Sequence, residues 1–124
     1  MPRKNSLLPV HLVSAQATSA SFQSSAVNIS FLDNVAVQIN AVTNDAVGTF
    51  QIQGSLDHVE QNSVVQVAGN WIPITLPATP TLASANQQIL LDLNQLSFPY
   101  IRVAYVRSSG SNGTIDIYIS SKEV

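Results

Sequence analysis

Tyr100-Ile101-Arg102-Val103-Ala104-Tyr105-Val106-Arg107, then a connection ending Gly110-Ser111-Asn112-Gly113-Thr114, then Ile115-Asp116-Ile117-Tyr118-Ile119-Ser120: this stretch decides the fold. Ile101, Val103 and Tyr105 recur at period two, as do Ile115, Ile117 and Ile119. Successive strand side chains point to opposite faces, so each set makes one apolar face. The connection carries residues that reverse a chain, and the whole reads as a β-hairpin. A two-residue Asn112-Gly113 turn would put the isoleucines on the face of Arg102 and Ala104. A three-residue Ser111-Asn112-Gly113 loop pairs Ile119 with Tyr105 and Ile117 with Arg107, keeping the apolar sets together. That register asks for Gly113 in the left-handed conformation of a bulged turn.

Working outward, the same alternation recurs. Val35, Val37, Ile39 and Ala41 share a face opposite Ala36, Gln38 and Asn40, and Phe50, Ile52 and Gly54 alternate with Gln51, Gln53 and Ser55. Strands are expected at 10–14, 19–23, 27–31, 35–42, 49–56, 71–76, 87–93, 100–107 and 115–120, separated by Asx, Gly and Pro breakers. No segment holds a 3.6-residue period, so no long helix is expected. About nine short antiparallel strands predict an all-β, jelly-roll-like β-sandwich. Residues 10–124 form this one domain, and the polar, proline-bounded 1–9 form an amino-terminal arm. The stretch from Asp57 to Asn70 reads as a long loop, where a rigid sandwich tends to carry its specificity.

Charged residues make up 10% of the 124, against about 25% in an ordinary soluble domain. Ser, Thr, Asn and Gln dress the surface instead, which suits packing against other proteins. The net charge of −2 argues against a nucleic-acid partner, since phosphate binding draws on clustered Lys and Arg. The one basic cluster is Arg3-Lys4. With no cysteine there is neither a disulfide framework nor a thiolate metal site. No apolar run approaches the roughly 20 residues of a membrane span, and no membrane partner is expected. The first ten residues lack a signal peptide's apolar core, so export by that route is not expected.

Asp57, His58 and Glu60 have the side chains of an acid/base or metal cluster, but lie within four consecutive turn positions and need not converge. They read as a solvated loop that, with Trp71, can face a ligand. His11, in an edge strand without a neighbouring carboxylate, reads as structural. Asp33-Asn34 and Asn44-Asp45 are turn formers, because Asx side chains bond their own backbone at corners. No serine sits in a Gly-x-Ser-x-Gly elbow, and only two histidines are available for a triad. No enzyme activity, metal or cofactor is implied. Trp71, placed before Ile72 and Ile74, fits packing at a sheet end, although an aromatic there can also stack on a sugar.

The run Gly48-Thr49-Phe50-Gln51-Ile52-Gln53-Gly54-Ser55-Leu56-Asp57, followed after a loop by Gly69-Asn70-Trp71-Ile72-Pro73-Ile74, resembles small β-sandwich proteins encoded by tailed bacteriophages. So does Leu91-Asp92-Leu93-Asn94-Gln95-Leu96-Ser97-Phe98-Pro99-Tyr100-Ile101-Arg102-Val103. The likeness runs from about residue 35 to 121. Its first half is also similar to discoidin-type sandwiches, in which a strand ending Gly-Ser-x-Asp precedes one opening on Trp. The phage resemblance implies a virion structural protein, made in the host cytoplasm and exposed by assembly and lysis.

Two functions compete. One is a capsid decoration or cement protein that clamps major capsid subunits; the other is a tail, fibre or surface module holding a host glycan. The scarcity of charge favours the first. Contacts are expected from Arg3, Lys4, Leu7 and Leu8 in the arm. A second contact is expected from an outward patch of Tyr100, Ala104, Val106 and Tyr118, buried in a homo-oligomer. The resemblance favours a trimer.

Overall fold

The computed structural model describes residues 6–29, 34–94 and 96–122, and among these it contains strands and no helix. In chain order they are β1 (Ser6–Ala17), β2 (Phe22–Gln23), β3 (Val27–Asn28), β4 (Asn34–Thr43), β5 (Val47–Ser55), β6 (Val59–Gln61), β7 (Val64–Val67), β8 (Ile72–Pro73), β9 (Thr81–Ala83), β10 (Gln87–Leu93), β11 (Tyr100–Ser109) and β12 (Gly113–Lys122). One sheet runs β1-β12-β4-β10; the other runs β2-β11-β5-β8, with β3 also on β11 and β9 also on β5. Every ladder is antiparallel, and β6 and β7 form a separate ribbon.

The strand order makes this sandwich a jelly roll. β2 and β3 lie along the same partner and act as one interrupted strand, as do β8 and β9 on β5. Pairing is then nested: β1 with β12, β2/β3 with β11, β4 with β10, and β5 with β8/β9. Such a nest is one long hairpin rolled on itself, closed by the β12–β4 and β11–β5 ladders. The twelve short strands exceed the nine expected by β9, which continues the interrupted roll strand begun by β8, and by the β6–β7 ribbon in the loop after β5.

The alternation read from sequence fills the core. Val35, Val37, Ile39 and Ala41 of β4 are buried, with Ile117 opposite Ile39 and Ile119 opposite Val37. From the second sheet come Phe50 and Ile52, opposite Tyr105 and Val103, with the Phe50 and Tyr105 rings 5.1 Å apart. Each buried Ile, Val or Phe side chain contributes about 1.5–3 kcal/mol relative to exposure. On β10, Ile89, Leu91 and Leu93 are half-buried and pack on this core, while Leu90 faces out.

The expected terminal hairpin does not form. β11 and β12 belong to different sheets, and their apolar faces meet across the core instead of along one ladder. Tyr105 lies opposite Phe50, not Ile119. Residues 110–112 cross between sheets at a corner shared with the β4–β5 turn. There Thr43 Oγ1 donates to the Asn112 carbonyl at 2.6 Å and accepts the Ala46 N–H at 3.0 Å. The Asp45 carboxylate accepts the Asn112 backbone and side-chain N–H groups at 3.1 and 3.3 Å. The left-handed residue of the connection is Gly110 (φ 84°), where a Cβ would stand 2.3 Å from the Asp45 carbonyl; Gly113 opens β12 at φ 159°.

β1 starts inside the segment read as an arm, since Ser6 pairs with Lys122 and Leu7 with Ser121. Residues 6–9 of that segment are therefore strand, and Arg3 and Lys4 lie outside the described residues. β1 is an edge strand with three register breaks and Ala15 at φ 47°; such irregularity blunts an edge against further pairing. Of the strand expected at 27–31, β3 keeps Val27–Asn28, and Ile29 is buried.

Candidate functional site

The loop between β5 and β8 is closed at its neck by side chains. Ser55 Oγ donates to Asp57 Oδ1 at 2.9 Å and accepts the His58 N–H at 3.0 Å. Across the neck, the Asp57 carboxylate accepts the Asn70 backbone N–H at 2.8 Å and its side-chain amide at 2.9 Å. These Asn70 bonds, then Ser55, hold the Asp57 carboxyl below the usual range. Gly69 (φ 70°) lets the backbone close, for a Cβ there would meet the His58 nitrogen at 2.6 Å. Beyond the neck, β6 and β7 are joined by Asn62 and Ser63, both with positive φ (53° and 63°). That is a two-residue hairpin turn of the type whose twist suits strands.

The neck turns His58 inward, leaving its side chain 5% exposed. Nδ1 donates to the Ala68 carbonyl at 2.8 Å and Nε2 donates to Glu60 Oε2 at 2.7 Å. Both partners are acceptors, so the two contacts favour the imidazole that carries a proton on each ring nitrogen. The bond to Glu60, with the Ala68 carbonyl, raises the His58 pKa; burial and the Arg102 charge oppose it. The ring sits 5.0 Å from Trp71 and 4.8 Å edge-on from Tyr100, whose hydroxyl accepts the Glu60 N–H at 3.4 Å. Arg102, outward-facing on β11, places its guanidinium carbon 4.4 Å over the Trp71 ring, a cation–π contact. Its Nε donates to Gln53 Oε1 at 2.6 Å.

Beside this cluster runs a groove of about 520 Å³, lined by Ser24, Ser25 and Ala26 between β2 and β3, by His58, Glu60, Ser63, Val65 and Ala68 of the loop, and by Trp71 and Arg102. Another groove, of about 540 Å³, is bordered by Leu56, Ile72, Ile74 and Phe98 and is largely apolar.

Of the expected loop residues, His58, Glu60 and Trp71 converge. His58, immediately before β6, and Glu60 within it stand at i and i+2 and meet, where a solvated turn was expected. Asp57 does not join them; it is spent on the neck. Among the described residues no three metal-ligating side chains cluster. Arg102 and the serines were missed, and Tyr100 was expected in an outward patch and not beside His58. The one signal for Arg102 was a charge set between Ile101 and Val103, in a strand otherwise apolar to Val106.

The expected outward patch is not continuous. Tyr100 and Ala104 are buried, Tyr100 against His58 of its own loop. Val106, 42% exposed, and Tyr118 face out from opposite sheets. Tyr118 stacks on His11 at 4.4 Å. His11 also bonds Asp116 at 2.9 Å, so its carboxylate partner arrives from β12. The Ala15 N–H, then His11, hold the Asp116 carboxyl below its usual range. Leu7 and Leu8 lie within β1, so their backbone belongs to the roll and not to an arm.

No protein-family model and no curated protein matches this chain.

Proposed function

We propose that the chain is a non-enzymatic structural protein of a bacteriophage virion, a capsid decoration or cement protein that binds the major capsid protein and works as a homo-oligomer. One observation carries the reading. Of the ten large hydrophobic side chains exposed among the described residues, six fall within residues 56–72: Leu56, Val59, Val64, Val65, Val67 and Ile72. Four of them stand on the β6–β7 ribbon, which on its own is no stable structure in water. An apolar ribbon carried on a charge-poor roll is a surface suited to being covered by protein. The resemblance to phage β-sandwich proteins supplies the assembly, with a trimer preferred because local three-fold positions on a shell would seat it. Catalysis draws no support from His58, both of whose ring nitrogens are engaged.

Copy number in purified particles tests the proposal. Hundreds of copies per head are expected, and a handful at one vertex would refute decoration in favour of a tail or fibre role. Val64→Lys with Val67→Lys should keep the β-type circular dichroism while abolishing particle binding. Binding undiminished in that variant would show that the ribbon is not the contact.

A further inference from the structure

We propose that the groove beside His58 binds an acidic saccharide, with Arg102 receiving the sugar's carboxylate and Glu60 accepting its hydroxyls. The site stands on its own groove and does not depend on the virion reading.

The charge in the groove asks for an anion. Arg102 is half-buried, its Nε is committed to Gln53, and among the described residues no carboxylate pairs with it and neither Nη atom has a hydrogen bond. With its carbon over the Trp71 ring and its Nε held by Gln53, the guanidinium keeps its two Nη groups as a two-pronged donor. That pair of donors matches the two oxygens of a planar carboxylate. Glu60 does not cancel this charge, because its Oε2 bonds the imidazolium of His58.

Arg102 alone would accept any carboxylate; the other walls narrow the class. Glu60 Oε1 makes no hydrogen bond among the described residues and so is left as an acceptor for a donor on the ligand. Trp71 offers half-buried indole surface, and Ser25 and Ser63 add hydroxyls. A ligand meeting all of these carries a carboxylate, hydroxyl donors and an apolar C–H face together. Acidic sugars have that combination; a simple acid or an acidic amino-acid side chain lacks the hydroxyls. The groove's volume of about 520 Å³ lies in the range of small-ligand sites.

The groove should also be pH-dependent. The groups facing His58 are Glu60 on β6, the Ala68 carbonyl, Trp71, and Tyr100 and Arg102 on β11; Asp57 next to it is bonded to Asn70. With His58 protonated, the cluster of Arg102, His58 and Glu60 carries one net positive charge; with His58 neutral it carries none. Anion binding therefore tightens as pH falls through the His58 transition.

Titration of the full chain with 3′-sialyllactose and with trigalacturonate, followed by calorimetry and by the Trp71 indole and Arg102 Nε resonances, tests this. Lactose and sodium acetate are the controls. Both acidic sugars should bind about tenfold or more tightly than lactose or acetate, and more tightly near pH 5.5 than near pH 8. Arg102→Gln should remove the preference for acidic over neutral sugar, and Arg102→Lys, which keeps the charge and loses the fork, should weaken it. Glu60→Gln, which removes both a negative charge and a hydroxyl acceptor, should favour acetate and so narrow the preference for acidic sugar over acetate. No binding, equal binding of lactose, equal binding of acetate, or an acidic preference intact in a folded Arg102→Gln would each overturn the assignment.

Discussion

Replacing Glu60 by glutamine keeps the shape of its contact with His58 and removes the charge. In the native loop the imidazole donates from Nδ1 to Ala68 and from Nε2 to Glu60, at 2.8 and 2.7 Å. Hydrogen bonds to ionised groups contribute about 1.5–3 kcal/mol, against about 0.5–1.5 for neutral ones. The Glu60 side chain is 21% exposed, and partial screening brings the difference to about 1 kcal/mol. For a 124-residue chain an unfolding entropy of about 260 cal/mol/K follows, so the variant should lose about 4 °C in Tm.

The sign of the pH dependence is fixed by the contact. Glu60 raises the His58 pKa above its ordinary 6.5, and the Ala68 carbonyl adds to this. A raised folded-state pKa gives stabilisation that is complete below the unfolded value and is lost as pH climbs through the folded one. Glu60→Gln should therefore melt below the native chain near pH 5.5 and approach it near pH 9. Thermal melts across this window measure the gap, and nitrogen-15 spectra of the imidazole should show two N-bound protons at the acidic end. A gap of equal size at both ends, or a native His58 with one N-bound proton near pH 5.5, would refute the reasoning.

Ile117→Ala removes a side chain that is 0% exposed and lies opposite Ile39. It should cost about 2–5 kcal/mol, lowering Tm by about 8 °C or more. Leu90→Ala, on the same sheet but 72% exposed, should stay within about 0.5 kcal/mol in denaturant titrations. Deleting residues 1–9 strips the Ser6↔Lys122 and Leu7↔Ser121 pairs from the edge of the first sheet. The melting temperature should fall; an unchanged value would mean that this end of β1 adds nothing to the roll.

Which residues are inside was legible; which strands are neighbours was not. Period-two alternation marks a face, and Ile101, Val103, Tyr105, Ile115, Ile117 and Ile119 are all buried as their spacing demands. Alternation is silent about pairing, because two apolar faces come together equally well side by side in one sheet or opposite each other in two. The Gly/Asn chemistry of 110–113 suited a tight reversal. What turns it into a crossing is Thr43 and Asp45, nearly seventy positions earlier in the chain, whose side chains grip Asn112. A bond over that distance has no local signature. The ribbon turn escaped for another reason: Asn62-Ser63 takes positive φ at both positions without a glycine to advertise it.

The candidate groove was half legible for the same reason. His58, Glu60 and Trp71 lie close enough along the chain to be suspected together, whereas Arg102 and Ser24 arrive through the β11 ladders. The topology explains why the site can sit there without weakening the roll. β5 and β8 are nested partners that a short turn could join, with Gly54 opposite Ile72, and the intervening segment is an insertion at that turn. Its neck is tied by Asp57 to Asn70, and its base rests on Tyr100 through His58. The insertion is therefore anchored to the outer face of the second sheet and contributes none of the buried core side chains. One segment can then carry both an apolar ribbon and a polar groove, since the core that holds the sandwich together constrains neither. Glu60 and Val65 belong to both, but Val64 and Val67 stand outside the groove and Arg102 outside the ribbon, so substitutions there should act on different contacts and separate protein docking from sugar binding in one folded chain.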